Sequence, residues 1–215
     1  VVPLSDICEI NAENKNPTLA FGDDEFIYID ISSVENGTGK VDFSNKIKGT
    51  DAPSRAKRAV KKGDILFSTV RPNLKAYGYV EREDCDCCVA STGFAVISAK
   101  SMVLSKYVYY MLYSEPVQTQ LSSMMGKGAY PSVNQKDVSQ IQIPLPSLSI
   151  QEDFVAELDS YQKIIDGARQ IVENYKPSIP VSSSWEVIPL LNLCENLDSK
   201  RIPITSSDRE TGDVP

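Results

Sequence analysis

"IPLPSLSIQEDFVAELDSYQKIIDGARQIVENYK", Ile143 to Lys176, is the stretch on which the organisation of the chain turns. Prolines punctuate its start. Ser149-Ile150-Gln151-Glu152 has the spacing of a capping box, in which a hydroxyl and a Glu side chain satisfy the first free amides of a helix. Behind it Phe154, Leu158, Tyr161, Ile165, Ala168, Val172 and Tyr175 recur at alternating steps of four and three. That is a heptad seam, the pattern of a helix that pairs with another helix. The predicted helix lies between Ser149 and Lys176, with about 26 helical residues spanning roughly 39 Å, and Pro177 stops it. An ordinary core element is shorter, so the apolar stripe needs a partner helix.

Upstream the pattern is mixed. "FIYIDI", Phe26 to Ile31, is a strand by alternation and β-propensity. Glu35 to Phe43 reads as a turn feeding another strand. The segment from Pro53 opens with a basic, helical turn; Lys62-Gly63-Asp64 then turns into a buried strand, Ile65 to Thr69, which Pro72-Asn73 ends. "AYGYVE" and "STGFAVIS" are further strands, and the Gly inside each marks a bulge or a close backbone approach. Helices follow from Ser105, with Tyr107, Val108, Met111 and Leu112 on one face, and from Pro116 to about Met124. A Gly-rich loop, Gly126 to Asn134, precedes a short helical start and a last strand closed by prolines. The class is α+β: a mixed α/β domain, residues 1–148, followed by a coiled-coil-type helix, residues 149–177. Residues 178–215 read as a linker and the start of an incomplete second domain, because "VPLSDICE", Val2 to Glu9, recurs as "IPLLNLCE", Ile188 to Glu195.

Composition narrows the chemistry. At 215 residues and 41% hydrophobic the chain can bury a real core, and it holds no apolar run long enough to cross a membrane. Val1 opens no positively charged, apolar secretion signal. Five cysteines, three of them at Cys85, Cys87 and Cys88, make a poor disulfide framework and point to a reducing cytoplasm. Their spacing does not match a zinc pairing, so no metal is expected. With no histidine, every imidazole triad is excluded. Short matches carry little. Asn16-Pro17-Thr18-Leu19 lacks the aromatic of an amino-methyltransferase motif, Gly37-Thr38-Gly39-Lys40 lacks the rest of a P-loop, and Ser54 to Lys57 stands without companion motifs.

Charge is unevenly placed on this chain of net charge -7. Lys46, Lys48, Arg55, Lys57, Arg58, Lys61, Lys62, Arg71 and Lys75 face only Asp51 and Asp64 within one segment, a +7 island on a -14 remainder. Such an island is a candidate anion-binding face. "STVRPNLKAYGY" places Ser68, Thr69, Arg71, Asn73 and Lys75 just beyond a buried strand, and these side chains suit phosphates and base edges. "GKGAYPS" offers Lys127, Tyr130 and Ser132 as a second group. Arg55, Lys57 and Arg58 complete the candidate DNA-binding set. Six to ten phosphate contacts would make binding fall by about 10³–10⁵ from 50 to 200 mM salt. The alternative is a coiled-coil adaptor without DNA binding, suggested by the acidic remainder and the seam.

The ordered series "KKGDILFSTVRPN", "ASTGFAVIS", "YVYYMLYS" and "GKGAYPSVNQKDVSQIQIPLPSLSIQEDFVAELD" resembles the target recognition domain of a type I restriction–modification specificity subunit. The likeness covers essentially the whole chain, and its most specific piece is I-P-L-P-x-L-x-x-Q, Ile143 to Gln151. The restart from Trp185 is similar to the opening of that family's second recognition domain. The resemblance implies two recognition domains joined by two antiparallel helices, each reading half of a bipartite double-stranded DNA site. It further implies a non-catalytic chain without a cofactor of its own, partnered by methyltransferase subunits that carry S-adenosylmethionine and by restriction/translocase subunits. A half-subunit could restore the arrangement by self-pairing through the spacer helix.

Overall fold

The computed structural model describes residues 1–125, 131–176 and 182–195. The chain divides into two compact units, Val1–Ala168 and Arg169–Pro215. In chain order the first unit opens with β1 (Val2–Pro3), α1 (Leu4–Ile7), β2 (Cys8–Ile10), α2 (Pro17–Phe21), β3 (Glu25–Ile29) and β4 (Lys46–Lys48). It continues through β5 (Ala56–Ala59), β6 (Ile65–Ser68), β7 (Tyr77–Tyr79), β8 (Cys88–Ser91) and β9 (Phe94–Ala99). Then come α3 (Ser105–Tyr113), α4 (Glu115–Met124), α5 (Gln135–Gln140), β10 (Gln142–Ile143) and α6 (Leu148–Asn174), whose last residues belong to the second unit. The mixed α+β class and the long following helix agree with the sequence reading.

Two four-stranded sheets form the centre. One is antiparallel throughout in the order β2-β9-β6-β7; the other runs β4-β3-β8-β5, with β3 and β8 parallel. Successive strand residues point to opposite faces, and this alternation builds two cores from one strand. From β6, Ile65 and Phe67 join Ala95, Ile97 and Tyr77 against Leu4, Val108, Leu112 and Leu121 of the helices. Leu66, with Phe94 and Val96, faces the other way and meets Ile27, Ile29, Cys88 and Ala90 of the second sheet. The outer face of the second sheet, Phe26, Tyr28, Ala56 and Val89, is closed by Phe21 and Ala52. The ends of the domain are tied together, since β1 pairs with β10. Gln120 covers the free edge of that pair, exchanging hydrogen bonds with the backbone of Gln142 at 2.8 and 2.9 Å.

Several local expectations change. The basic segment after Pro53 is a strand, β5, rather than a helical turn. Ala56 and the following residues pair with β8 across a bulge, and Glu13–Lys15 pair along the opposite edge through Lys15 N–H to Lys57 and Ala59 N–H to Glu13. Ala56 is buried, Lys57 exposed, and Arg58 and Ala59 half-buried, as suits a half-covered strand, and pairing outweighs the helical propensity of Ala, Lys and Arg. Glu35 to Phe43 forms only a bridge from Val34 to Val41; the strand beside β3 is Lys46–Lys48. "STGFAVIS" is a strand end, a turn and a new strand. Gly78 and Gly93 are close approaches: a Cβ would lie 2.5 Å from Val41 Cγ2 and 2.9 Å from Ile31 Cδ1 respectively.

The long helix starts at Leu148, one residue early, with Gln151 N–H donating to the Ser147 carbonyl. Ser149 therefore lies inside the first turn and Gln151 is turned inward, fully buried. The seam residues Phe154, Tyr161, Ile165, Val172 and Tyr175 are exposed, Leu158 is half-buried and Ala168 is exposed. Pro177 lies outside the described residues.

In the second unit α7 (Leu190–Leu193) repeats the local build of α1. Each follows an extended proline, Pro3 or Pro189, and each ends with a cysteine N–H bonded to the first leucine carbonyl, Cys8 to Leu4 and Cys194 to Leu190. The cysteine backbones match, φ -134 and ψ 155 against φ -133 and ψ 144. Cys8 is buried whereas Cys194 is exposed, as are Leu190, Leu191 and Leu193.

Candidate nucleic-acid interface

The two loops singled out in the sequence meet. Val70 and Ser132 form an antiparallel bridge, Arg71 N–H donates to the Pro131 carbonyl at 2.8 Å, and Val133 N–H donates to the Thr69 carbonyl at 3.0 Å. Residues 69–71 and 131–133 thus zip together at the exit of β6, although the sequence separates them widely. Lys127 and Tyr130 belong to the same loop but lie outside the described residues.

Beyond this zipper the chain makes a 3₁₀ turn, Pro72–Leu74, flanked by two residues in the left-handed region: Arg71 at φ 49 and Lys75 at φ 54. A non-glycine residue held there costs about 1–2 kcal/mol. The surroundings that hold it are visible. Tyr77, fully buried and stacked on Phe67 with centroids 4.5 Å apart, donates its hydroxyl to the Pro72 carbonyl at 2.7 Å. Burial pushes the Tyr77 phenol up to about 12, so it stays a donor at any ordinary pH. Gly37 N–H donates to the Lys75 carbonyl from the other side. Arg71, Asn73 and Leu74 are exposed on the turn, and Lys75 is half-buried.

Strand β5 reaches the same place. The turn after β8 offers Thr92 N–H to the Arg55 carbonyl and the Gly93 carbonyl to both the N–H and the hydroxyl of Thr69, at 2.8 to 2.9 Å. Arg55 and Thr69 therefore dock on adjacent residues of one turn. Arg55 and Lys57 are exposed, and among the described residues neither is in an ion pair. A cleft of about 320 Å³, lined in part by Lys15, Asn16, Ser54 and Lys57, opens beside them.

Three members of the basic island, Arg58, Lys61 and Lys62, are occupied differently, and so is Ser68. Ser68, offered above as a groove contact, is fully buried and donates to the Val70 carbonyl; it braces the loop and cannot reach a base edge. Arg58 is half-buried, with Nη1 bonded to Asn14 at 2.9 Å, which ties β5 to the Glu13–Lys15 edge. Lys61 and Lys62 pair with Glu13 and Glu83. Lys46 and Lys48 sit on β4, the opposite edge of the sheet from β5, about 14 Å away across three strand spacings. The island is one run in sequence but not one patch in space.

Chemistry of other kinds finds little support. Burial pushes the Cys88 thiol up to about 12 and the Cys85 thiol upward as well, opposing the thiolates that a metal site requires. Among the described residues no three His, Cys, Asp or Glu side chains converge to hold a metal. Asp64, buried and pushed up by desolvation, is engaged with Lys61 N–H and the Ser98 hydroxyl as the brace of a turn.

Comparison with known proteins decides the family. Residues 1–174 match the family model of the type I restriction modification DNA specificity domain. The chain belongs to this family. The specificity subunit of the type I restriction enzyme HindI, from Haemophilus influenzae, is 31% identical over 144 residues, 64% of this chain and 30% of that protein. The EcoDI specificity subunit of Escherichia coli is 26% identical over 165 residues, 71% of this chain and 34% of its own length. The crystal structure of the HsdS subunit from Thermoanaerobacter tengcongensis superposes with a TM-score of 0.69 at 33% identity, covering 79% of this chain and 43% of that one. A chain from a structural study of complex assembly in the type I R-M system gives 0.70 at 32% identity, with the same coverage. The specificity-family chain spans about a third of the curated relatives and under half of the solved ones.

The sequence reading missed the contacts that join α6 to this domain. Gln151, Val155 and Asp159, four residues apart, form the docked face, beside the seam rather than on it. Gln151 closes the motif Ile143 to Gln151, which was the available signal. Val155 packs on the helical core, and Asp159 accepts from Lys106 and Tyr110.

Proposed function

We propose that this specificity-family chain is a non-catalytic, sequence-specific reader of one half of a bipartite double-stranded DNA site. Arg55 and Lys57 neutralise phosphates beside the turn, and the Arg71–Lys75 turn with the Ser132 loop enters a groove. The supporting observation is the zipper between residues 69–71 and 131–133. It fixes two polar loops as one braced surface next to a basic strand, and phosphate contacts of this kind set register while base contacts specify. Residues 1–148 are the reading domain, 149–177 the spacer helix, and 178–215 a linker with the start of a second reading domain.

In this account the chain docks methyltransferase subunits, which supply S-adenosylmethionine, and restriction/translocase subunits, and it works in the cytoplasm. The seam from Phe154 to Tyr175, exposed except at half-buried Leu158 and packed on Tyr107 at Phe154, takes a partner helix, either from the same polypeptide or from a second copy. An unpartnered stripe of this size favours association. Among the described residues no helix is long and apolar enough to cross a membrane.

Arg71 gives the direct test. If it is bidentate to guanine, Arg71→Ala lowers discrimination at one base pair by about 1–3 kcal/mol and leaves other positions alone. Competition binding with a library of single-position variants reads this. Equal weakening on every duplex would make Arg71 a phosphate contact, and unchanged binding would remove the turn from the interface.

A further inference from the structure

Spacer helix α6 is fastened to the reading domain by buried or half-buried polar bonds. Gln151, fully buried, accepts from Leu104 N–H and donates to the Pro146 carbonyl, both at 2.9 Å. Leu104 is the residue from which α3 starts. Two turns on, Asp159 accepts from Lys106 Nζ at 2.9 Å and from the Tyr110 hydroxyl. Desolvation would push the Asp159 carboxyl up, but these two bonds outweigh it and hold the group below the usual carboxylate range. Between them Phe154 meets Tyr107 edge-on at 5.5 Å.

The same helix α3 is bonded to the reading turn. Tyr113, near its end, donates to the Tyr77 carbonyl at 2.8 Å, and Tyr77 holds the Pro72 carbonyl. Three direct links therefore lead from α6 to the left-handed turn at Arg71: Asp159 to α3, α3 to Tyr77, and Tyr77 to Pro72.

A polar fastening has a geometric consequence that apolar packing lacks. Apolar contacts are non-directional, whereas hydrogen bonds weaken steeply away from linear geometry. Direction matters here because α6 is a lever. Ala168 lies roughly 26 Å along it from Gln151 at 1.5 Å per residue. A tilt of about 8° at Gln151 moves that point by roughly 3.5 Å, close to the ~3.4 Å rise of one base pair.

We propose that Lys106, Tyr110, Asp159 and Gln151 form a clamp that sets the direction of the spacer helix from the reading turn, and so fixes the gap at which two half-sites are accepted. These are positioning residues and touch no DNA. The inference rests on the DNA-reading role and adds to it the residues that hold its geometry.

The test uses the complete specificity subunit assembled with its methyltransferase. Methylation rates are measured on duplexes that keep both half-sites and lengthen or shorten the gap by one or two base pairs. In Lys106→Met and Asp159→Asn the preference for the correct gap over its neighbours falls roughly two- to thirtyfold, the span of couplings carried by contact networks. Half-site sequence preference stays as in the wild type, and Lys106→Arg keeps the sharp profile. Lys106 is partly exposed, so its two variants carry the test should Asp159→Asn fold poorly. A wild-type gap profile in folded Lys106→Met overturns the clamp, and so does equal flattening in the surface control Lys136→Met. A wild-type complex indifferent to gap and sequence would instead overturn the DNA-reading role itself.

Discussion

Raising salt from 50 to 200 mM is expected to weaken duplex binding by this domain about 40- to 150-fold, with a log–log slope of about -2.7 to -3.6. The figure follows from the cations proposed as phosphate contacts. Arg55, Lys57 and Lys75 lie around the turn after β8 and the turn after β6, Lys127 is the fourth candidate, and Arg71 is assigned to a base. Arg58 is bonded to Asn14, while Lys61 and Lys62 pair with carboxylates. Charge counted along the sequence suggests six to ten contacts and a steeper fall. Fluorescence anisotropy titrations across a salt series measure the slope. A slope beyond about -5.4, six phosphates or more, would mean that Lys61 and Lys62 leave Glu13 and Glu83 for DNA. A flat response would contradict the nucleic-acid reading.

Replacing Tyr77 should have the largest effect on stability. Tyr77→Ala removes a fully buried ring from between Phe67 and Tyr113, and deletions of this size cost about 3–5 kcal/mol. Urea unfolding at equilibrium reads that loss. Tyr77→Phe separates packing from function. It keeps the ring and removes the hydroxyl, which donates to the Pro72 carbonyl and accepts from Gln118 Nε2; that carbonyl still accepts from Lys75 N–H, so the lost bond costs about 0.5–1.5 kcal/mol. The strain at Arg71 then loses one of its restraints. DNA affinity should therefore fall in Tyr77→Phe while the fold persists. Unaltered affinity would show that the turn does not need its brace.

The legible part of this fold was its periodicity. Heptad steps from Phe154 to Tyr175 identified α6, and the step pattern of Tyr107, Val108, Met111 and Leu112 identified the buried face of α3. Ile65 to Thr69 read as a buried strand, and Ile65–Ser68 is one, buried throughout. Polar segments were harder. Ala56–Ala59 looked helical because its residues have helical propensity; its strand state is imposed by neighbours on both edges, which lie far away in sequence. The docked face of α6 carries Gln151 and Asp159, so no hydrophobic pattern could reveal it. Basic residues close in sequence were placed on one surface by simple counting, whereas strand pairing sends Lys46 and Lys48 to one sheet edge and Arg55 and Lys57 to the other. The meeting of Val70 with Ser132 depends on the whole order of strands and helices between them. Both loops were recognisable as polar and turn-rich, but nothing local said that they form one surface.

The central claim is that this domain chooses where DNA is methylated. The most direct measurement is to assemble the complete specificity subunit with its methyltransferase, expose the complex to unmodified genomic DNA, and map every N6-methyladenine. The account predicts one motif made of two short specific halves at a fixed gap, with one half altered when the reading turn from Arg71 to Lys75 is exchanged for that of a relative. Methylation scattered without a motif, or a motif indifferent to that exchange, would contradict it.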